Sequence, residues 1–131
     1  MNALSIPDIR VAGGPKAPSH MRSRLERTLG DELAGERLAE LRLLTTEVVS
    51  NSVRHGRVGP DGWVSSTISV TEDRVRVEVR DSSVPRGMPR QRTPDYEDGG
   101  GFGLFLLDQV AARWGVQTEA GLCVWFELTL P

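Results

Sequence analysis

Cys123 is the only cysteine in this chain of 131 residues. That excludes an internal disulfide and any cysteine-based metal cluster. Its neighbours are Leu122, Val124 and Trp125, which predicts a small buried hydrophobe and not a nucleophile. Long apolar runs are also missing, and none approaches the roughly 20 residues that a membrane span needs. The first ten residues, MNALSIPDIR, lack the basic region and long apolar stretch of a signal peptide. Positive charge is not in excess: 16 basic and 18 acidic residues give a net charge of −2. There is therefore no electrostatic case for nucleic acid as the main partner. No internal repeat is visible. The expectation is a cytoplasmic protein with no membrane contact and no direct nucleic-acid contact.

Hydrophobic residues make up 38% and charged residues 26%, ordinary for a globular protein, and the length predicts one domain over residues 1–131. Residues 4–11 read as an edge strand because Pro7 is tolerated mainly at edges. Residues 19–33 read as a helix with Ser19 as N-cap and Met21, Leu25 and Leu29 on its inner face. A longer helix is predicted from Leu38 to Arg57, with Leu38, Leu41, Leu44, Val48, Val49 and Val53 forming its apolar stripe. Strands are predicted over 63–70 and around Val75, Val77 and Val79, which alternate with charged residues across a turn at 71–74. After a long loop over 82–100, a helix is predicted over 101–112, followed by a closing hairpin over 114–118 and 122–130. This order, β-α-α-β-β-loop-α-β-β, argues for an α/β (α+β) two-layer sandwich. Its mixed, mostly antiparallel sheet would carry the helices on one face.

Three local patterns carry chemistry. Glu47, Asn51 and His55 follow one another at intervals of four on the long helix. Each step of four drifts by only about 40°, so they form a polar line about 12 Å long. Taken alone, such a line is commonly a solvated face. Ser50, Asn51 and Ser52 are nonetheless mediocre helix formers in mid-helix, a local conflict that often marks function. A carboxylate, a carboxamide and an imidazole so aligned suit a hydrated cation and a phosphate chain. Asp81 stands where the second strand meets the long loop. It is either a turn residue or a fixed acceptor at a pocket floor, where a purine amino group would be a natural donor. Ser83 could add a hydroxyl or a water bridge. Gly99, Gly100, Gly101 and Gly103 then crowd the entry to the third helix. Either they form a hinge, or they let backbone N–H groups and the helix dipole approach a phosphate.

The combination Glu47-x3-Asn51-x3-His55, then Asp81-x-Ser83, then Gly101-x-Gly103-Leu104 resembles the N, G1 and G2 boxes of the GHKL ATP-binding superfamily, which has a histidine kinase-like ATPase fold. TTEVVSNSVRHG, VEVRDSS and GFGLFLLDQVAARWGV are most similar to the stand-alone anti-sigma factor serine kinases of bacteria, over about residues 18–130. The resemblance implies ATP and Mg²⁺, with Asn51 holding the metal and Glu47 acting as general base toward a partner serine. It implies that Asp81 accepts from the adenine amino group, and that Gly99, Gly101, Gly103 and Leu104 line the phosphates. Residues 84–100 would be the lid, and His55 would flank the phosphate side with no assigned step.

The implied function is an Mg-ATP-dependent serine kinase that phosphorylates an anti-anti-sigma antagonist and sequesters a sigma factor; relatives of this kind often dimerise. Two departures stand out. The G1 box usually has Gly where Ser83 stands, and close relatives often have Arg where Phe102 stands. The lost cation bears more on transfer than on ATP binding. The alternatives are an ATP-binding regulatory module without transfer and a scaffold that binds no nucleotide.

Overall fold

Among the described residues, eight elements follow in the order that the periodicity predicts. They are β1 (Leu4–Ala12), α1 (Ala17–Leu29), α2 (Gly35–His55), β2 (Trp63–Val70), β3 (Arg74–Asp81), α3 (Phe102–Val110), β4 (Arg113–Gln117) and β5 (Cys123–Thr129). The computed structural model describes residues 4–30, 33, 35–55, 58–82, 102–117 and 122–130. The five strands form one sheet in the order β1-β2-β3-β5-β4, and every pairing among the described residues is antiparallel. β1 is an edge strand, as Pro7 predicts, and its register with β2 shifts between Ile6 and Ile9. Asp8, inside that irregularity, has φ +45°, a bulge conformation that bends the edge.

Alternation decides which side of the sheet is covered. Val75, Val77, Val79 and Asp81 of β3 are buried, while Arg74, Arg76, Glu78 and Arg80 point the other way. The register continues the buried side through Ile68, Phe126 and Leu128. The three helices lie on this side, and their inner faces close the core with Met21, Leu25, Leu29, Leu41, Leu44, Val48, Val49 and Leu107. Leu38 and Val53, the ends of the predicted α2 stripe, are partly buried against it. Ser66 is buried among these residues, and its hydroxyl donates to the Met21 sulfur at 3.4 Å.

Helix ends differ from expectation for identifiable reasons. α1 starts at Ala17, with Lys16 as N-cap and Pro18 in the first turn. Proline is at ease there because its missing N–H would have no intrahelical acceptor. Ser19 is thus not the cap; it is inside the first turn, and its Oγ donates to the Lys16 carbonyl at 3.2 Å. The helix stops at Leu29 instead of residue 33, with Gly30 at its C-cap. α2 begins at Gly35, three residues before the predicted Leu38. Arg57 and the turn at 119–121 lie outside the described residues. No described helix is long and apolar enough to cross a membrane.

Candidate functional site

The direction of α2 over the sheet sets the site. Near its start, Arg37 Nε donates to the Thr129 carbonyl at 2.7 Å, at the end of β5. Thr129 pairs with Arg74, so the N-terminal half of α2 lies over the beginning of β3. After α2 the chain returns through residues 58–62 to Trp63, which opens β2 beside Ser82. Val64 pairs with Asp81, so the C-terminal half of α2 and Asp81 share one end of the sandwich. Two bonds fasten this corner to the β1–α1 turn: Gly13 N–H donates to the Gly62 carbonyl at 3.0 Å, and Gly14 N–H to the Val58 carbonyl at 2.9 Å.

α3 lies beside α2, and its orientation follows from its exit. The Ala112 N–H donates to the Glu127 carbonyl at 2.8 Å, at the Thr129 end of the sheet. Trp114 Nε1 also donates to Asp108 at 2.7 Å, tying the last turn of α3 to β4. The N-terminus of α3, Phe102 and Gly103, therefore faces the opposite end, which carries Asp81. A helix N-terminus presents unsatisfied N–H groups and partial positive charge.

Residue by residue, Glu47 and Asn51 lie half-buried on α2, between its buried stripe and solvent. Asn51 Oδ1 accepts a 3.3 Å hydrogen bond from Arg54 Nη2. His55 is the last residue of α2, and its side chain lies outside the description. Asp81 is 7% exposed and on the helix-facing side of the sheet. Its strand end is held by Ser82, whose N–H donates to the Trp63 carbonyl at 3.0 Å and whose Oγ accepts from the Trp63 N–H at 3.0 Å. Gly62 makes this clasp possible, because a Cβ there would stand 2.5 Å from Ser82 Oγ. Ser83, Gly99 and Gly101 lie outside the described residues; Gly103 and Leu104 belong to the first turn of α3.

The fold therefore gathers the C-terminal half of α2, Asp81 and the start of α3 at one end. Two contributors were not identified from the sequence. Ser82 matters only because Trp63 lies opposite it, which no local pattern announces. Arg54 was within reach, since i and i+3 residues are helix neighbours. Not every weak helix former in α2 serves the site: Ser52 is 6% exposed and belongs to the inner face.

The donor set suits a hard cation that arrives with a phosphate. Asn51 offers an amide oxygen and Glu47 a carboxylate, and Mg²⁺ characteristically keeps several waters while sharing substrate oxygens. Among the described residues no three His, Cys, Asp or Glu side chains group closely enough to hold a metal by themselves. One side-chain oxygen beside a phosphate chain is the arrangement that fits.

Comparison with known proteins bears on the family and the fold. The serine-protein kinase RsbW of Bacillus pumilus (strain SAFR-032) is 28% identical over 102 residues, covering 68% of this chain and 63% of the relative. The chain thus spans less than two thirds of that relative's length. The family model for the histidine kinase-like ATPase domain matches residues 15–128. With α2 and α3 framing one end of an antiparallel sandwich, and the match running from the β1–α1 turn into β5, the chain belongs to the histidine kinase-like ATPase domain family.

Proposed function

We propose that the chain is an ATP-binding anti-sigma regulatory factor acting as a serine protein kinase, with residues 1–131 working as one histidine kinase-like domain. It transfers a phosphoryl group from Mg-ATP to a serine of an anti-anti-sigma antagonist, and it sequesters a sigma factor. The observation that carries this reading is the convergence of Asp81, the Asn51 end of α2 and the N-terminus of α3 at one end of the molecule. Similarity to RsbW, whose name is that of a serine-protein kinase, supports the reaction class.

The proposed roles rest on the motif resemblance and, for Asp81, Asn51 and Glu47, on where the described residues lie. Asp81, buried on a strand end clasped by Ser82, accepts from the adenine amino group and distinguishes adenine from guanine by what each base can donate. Ser83 lies next to it in sequence and extends the base-side polar edge. Asn51 holds Mg²⁺, which when bound neutralises charge on the phosphates. Gly99, Gly101, Gly103 and Leu104 bring backbone N–H groups to the phosphates at the start of α3, and His55 flanks them from the last turn of α2. Glu47, one turn before Asn51, takes the proton of the partner serine hydroxyl. In that step the serine oxygen bonds to the γ-phosphorus, and the bond to the β-phosphate bridging oxygen breaks. Phosphoryl transfer of this kind depends mainly on positioning and electrostatics.

A second reading, an ATP-binding regulatory module without transfer, is favoured by Phe102, which brings no cation to the helix entry. Radiolabelled ATP transfer to candidate antagonists, with wild type and Glu47→Ala compared, separates the two. Transfer that disappears in Glu47→Ala while ATP binding persists supports the kinase. ATP binding without transfer supports the regulatory module, and no ATP binding sinks both.

A further inference from the structure

The sheet face opposite the helices is covered by no described element, and its side chains are not those of a neutral solvated surface. The register places them in rows across the strands. One row runs Ser5, Ser69, Arg76, Glu127 and Arg113; the next carries Thr67, Glu78, Trp125 and Gly115; a third runs Arg10, Ser65, Arg80, Cys123 and Gln117. With Arg74, five arginines share this face with the two carboxylates of Glu78 and Glu127. The exposed rim residues Asp8 and Asp73 pair with Arg10 and Arg74 at 3.8 and 3.9 Å, and with them counted the five arginines still outnumber the four carboxylates. The face is therefore positive on a chain whose net charge is −2. Basic character continues around the β1 edge, where Arg10, His20, Arg24 and Arg27 line a groove of about 280 Å³.

The arginines are held in fixed orientations. Glu127, with 8% of its side chain exposed, receives Arg76 at 3.0 Å, Arg113 at 3.3 Å and Arg74 at 3.4 Å. Glu78 receives Arg76 at 3.0 Å and Arg80 at 3.1 Å. Arg76 stacks over Trp125 at 4.1 Å and Arg10 over Trp63 at 4.0 Å. Gly115 keeps Trp125 flat, since a Cβ there would come within 2.8 Å of the indole. Stacking uses the flat faces of the guanidinium and leaves its N–H edges for carboxylates. The outer arginines retain that capacity: side-chain exposure is 43% for Arg80, 49% for Arg74, 51% for Arg10 and 63% for Arg113.

We infer that this face is a docking surface for an acidic protein, whose carboxylates pair with Arg10, Arg80 and Arg113 over the Trp63 and Trp125 platforms. Charge complementarity selects the occupant. A second copy would oppose one positive face with another, and like charges across an interface disfavour that pairing. A nucleic acid would extend beyond the face and meet the acidic remainder of the molecule. An acidic protein patch matches the face in sign, and Trp and Arg are the side chains that dominate interface energetics.

The test uses the full chain without nucleotide, so its outcome is separate from that of the ATP site. Fluorescein-labelled poly-L-glutamate is titrated by anisotropy against wild type and an Arg10→Gln, Arg80→Gln double variant, with single-stranded oligo-dT as comparator. The double variant leaves all three arginines on Glu127 and keeps Arg76 on Glu78, so the fold is retained. Arg113→Gln alone, which leaves Glu127 two arginines, probes the other flank. The expected result is salt-sensitive polyglutamate binding that falls about tenfold or more in each variant. Equal binding by wild type and both variants overturns the proposal. So does tighter binding of oligo-dT than of polyglutamate, or a dimer in sedimentation that the double variant dissolves.

Discussion

Asp81 and Thr45 are both buried polar side chains, and they make opposite predictions. Asp81 is 7% exposed on a strand end that Ser82 clasps, a position suited to a fixed acceptor. Asp81→Asn keeps the shape and removes the charge. A hydrogen bond to a charged group contributes roughly 1.5–3 kcal/mol, or about 10- to 100-fold in affinity. Calorimetric titration with ATP is expected to show a loss of that size, with the thermal midpoint little changed; unchanged affinity would remove Asp81 from the base site. Thr45, at 0% exposure in the inner stripe of α2, has a hydroxyl with no hydrogen-bond partner among the described residues. Thr45→Val replaces that hydroxyl with a methyl of similar shape. It is expected to stabilise the fold by about 1 kcal/mol in urea denaturation, because an unsatisfied buried hydroxyl costs about 1–3 kcal/mol.

The elements owe their order to different interactions on their two sides. On the inner side, α1 and α2 pack through leucine and valine stripes and are joined at the rim by Glu26–Arg42 at 3.0 Å. On the outer side, β3 and β5 are joined by ion pairs, and there acid matters. Burial alone would raise the Glu78 pKa, but hydrogen bonds from Arg76 and Arg80 outweigh it and hold the carboxyl below its ordinary 4.5. A carboxyl depressed in the folded state contributes stability that is present above its unfolded pKa and is lost as pH falls through the folded value. Wild type should therefore lose stability progressively below about pH 4.5, and Glu78→Gln should flatten that part of the profile while lowering stability at neutral pH. Denaturant midpoints between pH 3 and 7 check this; an unaltered slope in the variant would assign the acid sensitivity elsewhere. Cys123, on the same face, behaves as a buried thiol, since burial pushes its pKa above the ordinary value.

For the molecule as a whole, ligand binding should be visible as stability. The proposed site draws on α2, β3 and α3, so a nucleotide bound there is lost when any of them unfolds. A ligand at 100 times its Kd stabilises the folded state by about 2.7 kcal/mol. Saturating Mg-ATP is therefore expected to raise the thermal midpoint by several degrees, as read by differential scanning fluorimetry. Asn51→Ala should abolish the magnesium-dependent part of that rise. A rise identical with and without magnesium would separate Asn51 from the metal.

Much of this was legible along the chain, because some instructions are local. Val75, Val77 and Val79 alternate with charge, and that period alone assigns β3 one dry face. Leu41, Leu44, Val48 and Val49 recur at helical spacing and are buried as the spacing requires. The same geometry puts Glu47 and Asn51 on one flank of α2. Strand order was not legible: β3 lies beside β5 and not β4, a choice between two closing strands that depends on total packing. Nor was the network on Glu127, whose partner Arg76 is 51 positions away. Periodicity is set by backbone geometry within a few residues, so composition and spacing dictate it before any folding. Which strands pair, in what register, and which ends come together depend on closing long loops against a shared core. That is why Asp81, Asn51 and the start of α3 are separate signals in the chain and lie at one end of the fold.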